Sequence, residues 1–141
     1  MKPLSLPYKH LPNSSDGYAT TAMLNVQVAR PEPRSPRTKR FEAIIDSGAS
    51  RCLFHSDFAV VLGIDLTKCT REVTQGIGGN EDVYLHEITL FIPGGPVSIT
   101  AGFKHNFPIA GLLGMAGFFD HFKVTFDPTS DCCILERLYK A

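Results

Sequence analysis

Apolar residues in this chain recur at every second position in short runs, and proline, glycine or a cluster of Asn, Asp and Ser soon cuts each run off. Ala22, Leu24, Val26 and Val28 alternate with Met23, Asn25 and Gln27 between Tyr18 and Ala29, the period of a strand buried on one face. Phe41 to Ile45, Val83 to Ile92, Val97 to Ala101 and Phe122 to Phe126 read the same way, with turn chemistry at Pro93-Gly94-Gly95-Pro96 and Asp127-Pro128-Thr129-Ser130. Cys133-Ile134-Leu135 closes a final hairpin. Ten prolines and twelve glycines in 141 residues leave little room for long helices. The pattern predicts one mostly β, barrel-like domain with one or two short helices. One helix is marked by Ser56 as N-cap, Asp57 in the first turn, Phe58, Val61 and Leu62 at helical spacing and Gly63 at the C-terminal stop. The glycine-punctuated run Ile109 to Phe119 reads as strand followed by helix.

Residues 1–17 carry Pro3, Pro7, Pro12 and the turn signal Asn13-Ser14-Ser15-Asp16-Gly17, so an irregular N-terminal segment is expected ahead of a domain at 18–141. Residues 30–40 hold three prolines and five cations, Arg30, Arg34, Arg37, Lys39 and Arg40, and read as an extended, solvated loop. Such a loop is also where a protease would clip. The chain's formal net charge is zero, which argues against nucleic acid or an anionic membrane as a whole-domain partner. No apolar run approaches the ~20 residues that span a bilayer, and the prolines in Met1–Pro7 interrupt any leader-like apolar core. Four cysteines without Cys-x-x-Cys spacing suggest reduced thiols and a cytoplasmic setting, with one of the adjacent pair Cys132 and Cys133 packed and the other half exposed.

Chemistry points to one place. Asp46-Ser47-Gly48-Ala49 follows the apolar run Phe41 to Ile45, which puts a carboxylate at the end of a buried strand, in a turn that Gly48 makes tight. Downstream, Gly76-Ile77-Gly78-Gly79 marks a hairpin tip. No helix follows it, as a phosphate-binding loop would require. Later, Leu112-Leu113-Gly114 precedes the last hairpin. The five histidines form neither His-x-x-x-His nor His-Glu-x-x-His, so no metal site or cofactor is expected. Cys52 lies in an apolar run and suits a core better than a thiol nucleophile, and no Gly-x-Ser-x-Gly elbow exists.

In this order and spacing, Asp46-Ser47-Gly48-Ala49, the glycine-rich tip and Gly111-Leu112-Leu113-Gly114-Met115 resemble the retropepsin family of aspartic proteases, closest to its non-viral members, over Thr21 to Leu138. The resemblance implies a closed acid-protease β-barrel that forms a homodimer and acts as an endopeptidase on polypeptides in extended conformation. It implies Asp46 as the catalytic residue, Ser47 as a hydroxyl bonding across the two-fold axis, and Gly48 and Ala49 facing the substrate backbone. Gly76, Ile77, Gly78 and Gly79 would form a flap, Leu112 would line a side-chain pocket, and the terminal hairpin would supply interface strands. Only one Asp-Ser-Gly is present, so symmetry must supply the second carboxylate. Viral members carry an acidic residue and an arginine where this chain has Ser50 and Met115, which implies a less ionic interface. The competing reading is a retropepsin-fold module that dimerises or binds peptides without cutting them.

Overall fold

The structure, a computed structural model, describes residues 1–12, 19–76 and 79–139. In chain order its strands are β1 (Leu4–Pro7), β2 (Lys9–Leu11), β3 (Ala19–Thr21), β4 (Met23–Ala29), β5 (Phe41–Ile45) and β6 (Leu53–His55). A helix, α1 (Ser56–Leu62), and a 3-10 turn at Leu66–Lys68 follow. Then come β7 (Thr70–Gly76), β8 (Gly79–Phe91), β9 (Val97–Lys104), β10 (Gly111–Leu113), β11 (Phe122–Asp127) and β12 (Cys132–Arg137). Seven strands make one sheet in the order β4-β5-β10-β6-β9-β8-β7, and β4 pairs a second time with β8 through Gln27↔Phe91, Val28↔Leu90 and Ala29↔Thr89. A three-stranded sheet, β1-β12-β11, and the pair β2-β3 complete the fold.

The alternation in β4 works as the sequence predicts: Leu24, Val26 and Val28 are buried while Asn25 is exposed. These side chains join Ala43, Ile45, Phe54, Ile88, Leu90, Phe103, Leu113 and Phe118 in one core. Burying each large apolar side chain is worth about 1.5–3 kcal/mol. Phe41 stacks on Phe58 with ring centroids 4.2 Å apart and meets Phe54 edge-on at 5.9 Å, which seats α1 on the N-terminal end of β5. The basic loop 30–40 has no strand or helix, yet it is pinned. Buried Thr38 donates its N–H to Val28 O (2.9 Å), accepts from Val28 N at Oγ1 (3.1 Å) and receives Gln27 Nε2 at its carbonyl (2.8 Å). Arg137 ties the terminal sheet to the β8–β9 turn by donating to Pro93 O and Gly95 O.

Three local expectations are corrected. The described part of the N-terminal segment, residues 1–12, is not irregular: β1 pairs antiparallel with β12, Leu4↔Leu135 to Pro7↔Cys132, and β2 pairs with β3. Leu4 and Leu6 alternate with exposed Ser5 and Pro7, and an edge strand tolerates prolines that lack a donor. The turn signal Asn13–Gly17 lies outside the described residues. At α1 the cap is His55, whose Nδ1 accepts from Asp57 N at 3.0 Å, so Ser56 becomes the first helical residue and is buried. The stop is as expected, with Gly63 in the left-handed region at φ 73°. The helix expected within Ile109 to Phe119 is instead a succession of turns after β10. Met115 N donates to Ala49 O and Ala116 N to Ser50 O, and Gly117 then takes a positive φ of 101°, which a right-handed helix does not contain.

Cys133 is buried and Cys132 half-buried, and all four cysteines are free thiols. Burial pushes the Cys52 and Cys133 thiols up to about 11 from an ordinary 9.0. The folded state therefore holds these protons to higher pH than the unfolded chain, and their contribution to stability is lost as pH rises from 9 towards 11. Native protein treated with iodoacetamide at pH 8 should take up label at Cys69 and Cys132 only, and at all four positions in denaturant. Intact-mass spectrometry reads this directly. Four adducts without denaturant would contradict the packing.

Candidate active site

Asp46 stands at the end of β5, a strand paired on both sides. β4 runs antiparallel to it, and β10 runs parallel with Ile44↔Leu112 and Ile45↔Leu113. The Asp46 N–H donates to Leu113 O at 3.0 Å, so its backbone is held by the sheet before the turn begins. Within the turn, Ala49 N donates to Asp46 O (3.2 Å) and Gly48 N to the carboxylate Oδ1 (2.8 Å). A Cβ on Gly48 would sit 3.1 Å from that same oxygen. Glycine therefore lets the amide reach the acid.

The segment after β10 then crosses behind this turn. Met115 N donates to Ala49 O (2.8 Å), Ala116 N to Ser50 O (3.0 Å), and Arg51 forms a parallel bridge with Ala116. The crossing is closest at Gly114, where a Cβ would lie 2.3 Å from Arg51 O and 2.7 Å from Ala49 O. This is the physical meaning of the paired motifs, Asp46-Ser47-Gly48-Ala49 and Leu112-Leu113-Gly114. Each is half of one interlock that leaves the carboxylate no freedom except at its own side-chain torsions.

Half-buried Asp46 opens into a cleft of about 770 Å³. Ala22, Ile44 and Ile45 form one wall; Tyr8, Phe126 and Pro128 of the terminal segments form the other. His10 also lines it, with Nε2 2.8 Å from the Asp131 carboxylate and Nδ1 3.2 Å from Thr20 Oγ1. Of the candidate catalytic and substrate-binding residues that are described, Asp46 alone lines this cleft. Ser47 and Gly48 are exposed beside it, and Ala49 is half-buried in the clasp. Leu112 is half-buried on β10 between Ile44 and Leu53. The contribution of Tyr8, His10, Thr20, Phe126 and Asp131 carries no signal in the sequence. Only the long-range β1–β12 pairing brings the two ends of the chain to Asp46.

The β7–β8 hairpin pairs continuously from Thr70↔Leu85 to Gly76↔Gly79, while β9 pairs with β8 only from Tyr84 onward. Glu72–Gly76 and Gly79–Val83 therefore extend as a two-stranded ribbon beyond the sheet. Ile77 and Gly78 lie outside the described residues. Two ion pairs tie the ribbon down. Arg51, immediately after the Asp46 turn, donates to Glu72 at 3.1 Å, and Lys104 pairs with Glu81. Ser50 and Met115, where viral members carry charges, are both exposed.

An aspartyl protease family model matches residues 37–116, more than half of the chain and the whole of the interlock. The chain belongs to the aspartyl protease family. Among solved structures, this aspartyl protease is similar to a retropepsin-like aspartic protease from Rickettsia conorii, with a TM-score of 0.64 and 19% identity over 96% of this chain and 99% of that one. It is also similar to the EIAV protease complexed with the inhibitor HBY-793, with a TM-score of 0.50 and 14% identity over 67% of this chain and 81% of that one. At these identities the likeness is one of fold: the protease has a retropepsin-like architecture, mostly β. No curated protein sequence matches it. No helix among the described residues is long and apolar enough to cross a membrane.

Proposed function

We propose that this aspartyl protease is an endopeptidase that works as a homodimer, with water activated between Asp46 and its symmetry copy. The observation that carries the reading is a fixed carboxylate with an unfinished site. Asp46 is held by the strand and the turn at the mouth of a cleft whose other carboxylate, Asp131, is engaged by His10. One carboxylate alone is a weak activator for amide hydrolysis. Two about 3 Å apart cannot both ionise, so they share a proton. The ionised member takes a proton from the water as its oxygen attacks the scissile carbonyl carbon. The protonated member donates to the carbonyl oxygen, and the resulting tetrahedral diol collapses as the amine leaves with a proton.

In this reading Ser47 bonds across the two-fold axis, and Gly48 and Ala49 meet the backbone of an extended substrate. The ribbon, with Gly76, Ile77, Gly78 and Gly79 at its tip, closes over that substrate as a flap. Leu112 contributes to an apolar pocket. The strand pairings run in a ring, β4-β5-β10-β6-β9-β8 and back to β4, which supports reading the sheet as a closed barrel. The edges of β1 and β11, each paired on one side only among the described residues, make the terminal sheet a candidate interface.

The test is concentration. Peptide cleavage per mole of chain should climb as the protein is raised through the dimerisation constant measured by sedimentation equilibrium. Activity that is constant per mole in a strictly monomeric sample would sink the paired-carboxylate reading. A dimer that never cleaves would favour a binding module.

A further inference from the structure

We infer that the loop between β4 and β5 is a docking site for an acidic polypeptide segment, separate from the cleft of Asp46. The chain is neutral overall, but residues 30–40 hold five cations against one carboxylate, Glu32. That carboxylate is used locally: Arg30 donates to it through Nε and NH2 at 3.2 Å, and this contact holds Glu32 below the ordinary carboxylate range. Arg34, Arg37, Lys39 and Arg40 have no acidic partner among the described residues, and all four stand open to solvent. Four like charges on one short segment repel one another, and an arrangement of that kind is favourable when a complementary charge neutralises it.

The loop is also built to present these charges at fixed positions. Thr38, buried among them, is anchored to β4 by three hydrogen bonds, and the Arg37 guanidinium carbon lies 3.8 Å above the centre of the Phe91 ring. Stacking of this kind keeps a guanidinium in place while leaving its N–H fork free to donate. Beneath it runs a groove of about 410 Å³ lined by Arg37 and Arg40 together with Asn25, Gln27 and the backbone of the Pro93–Pro96 turn. Carboxylates suit the two guanidinium forks, and amide side chains alongside suit a peptide backbone. Nucleic acid is the poorer fit, because the patch is confined to one loop and its one stacking face, Phe91, is already covered by Arg37. β5 separates Arg40 from Asp46, a distance of roughly 20 Å at strand rise. An acidic segment docked here is therefore outside the cleft, and a substrate reaching both would need at least about six extended residues between them.

The experiment uses the full chain and a fluorescein-labelled hexaglutamate peptide, read by anisotropy at low salt. Hexalysine and a single-stranded hexanucleotide of the same label serve as comparisons. Hexaglutamate is expected to bind, with affinity that falls as salt rises, and hexalysine is not. Arg40→Gln, which removes a charge that no acidic side chain among the described residues engages, should weaken binding several-fold. Arg37→Gln with Arg40→Gln should weaken it at least about ten-fold, as expected for loss of two charge-assisted contacts. Lys123→Gln, on the exposed side of β11, should leave it unchanged. The proposal is overturned if hexaglutamate does not bind, if Arg40→Gln binds as the parent does, or if Lys123→Gln weakens binding equally. Tighter binding of the hexanucleotide than of the peptide overturns the choice of partner.

Discussion

Replacing Asp46 by Asn should reduce peptide cleavage by on the order of 10³-fold or more while leaving the melting temperature close to that of the parent. The side chain keeps its shape, and its oxygen can still accept the Gly48 N–H at 2.8 Å, so the turn has no reason to open. On the paired-carboxylate proposal, what is lost is the ability to take a proton from water and to share one with a second carboxyl. The paired mechanism adds a sharper consequence. When parent and Asp46→Asn chains are mixed in equal amounts and exchange subunits, only about a quarter of the dimers carry two acids. Activity should fall towards that fraction, well below the half expected if each chain worked alone. The readout is the cleavage rate against the molar ratio of the two chains. A straight line down to one half at equal mixing would show that Asp46 acts without its copy.

The parts of this fold that could be read from sequence are those where local chemistry and tertiary structure agree. β4 alternates because one face is core, and the Asp127–Ser130 turn marks the final hairpin because its residues favour a turn wherever they occur. Asp46 was legible for a related reason: an acid directly after a buried strand and before a glycine is placed by its immediate neighbours. The failures share a cause. Leu4-Ser5-Leu6 is too short to identify as a strand until β12 is present to pair with it. The run after Leu113 has the apolar content of a helix, and nothing nearby in sequence reveals that Ala49 and Ser50, more than sixty residues earlier, take its amides. His10 and Asp131 meet across almost the whole chain, |i−j| = 121, and no spacing rule reaches that far. Capping by His55 was missed because propensity favours Ser56, while the burial of Ser56 was decided by packing.

Gly114→Ala should be the most damaging single methyl in the molecule, costing about 3–5 kcal/mol, a large part of the ~5–15 kcal/mol that holds a domain of this kind together. The cause is steric and lies in the backbone. Gly114 does not occupy the left-handed region, so conformation alone would admit alanine. The added carbon would lie 2.3 Å from Arg51 O, 2.7 Å from Arg51 C and 2.7 Å from Ala49 O, and none of these atoms can rotate aside. Relief requires the two segments to part. That surrenders the Met115–Ala49 and Ala116–Ser50 hydrogen bonds at about 1 kcal/mol each, in addition to about 1–3 kcal/mol of overpacking. Gly48→Ala is the informative contrast. Its new carbon meets a side-chain oxygen, Asp46 Oδ1, at 3.1 Å, which can yield by rotating. Gly48→Ala should therefore fold with a urea midpoint near the parent's but cleave poorly, because the acid has been turned, whereas Gly114→Ala should lose its midpoint first and its activity as a result. Urea titration followed by circular dichroism, run beside a cleavage assay on both variants, separates the two. A Gly114→Ala protein within about 1 kcal/mol of the parent would mean the crossing is loose, and the proposed pairing of Asp46 with a symmetry copy requires a crossing that holds the acid in register.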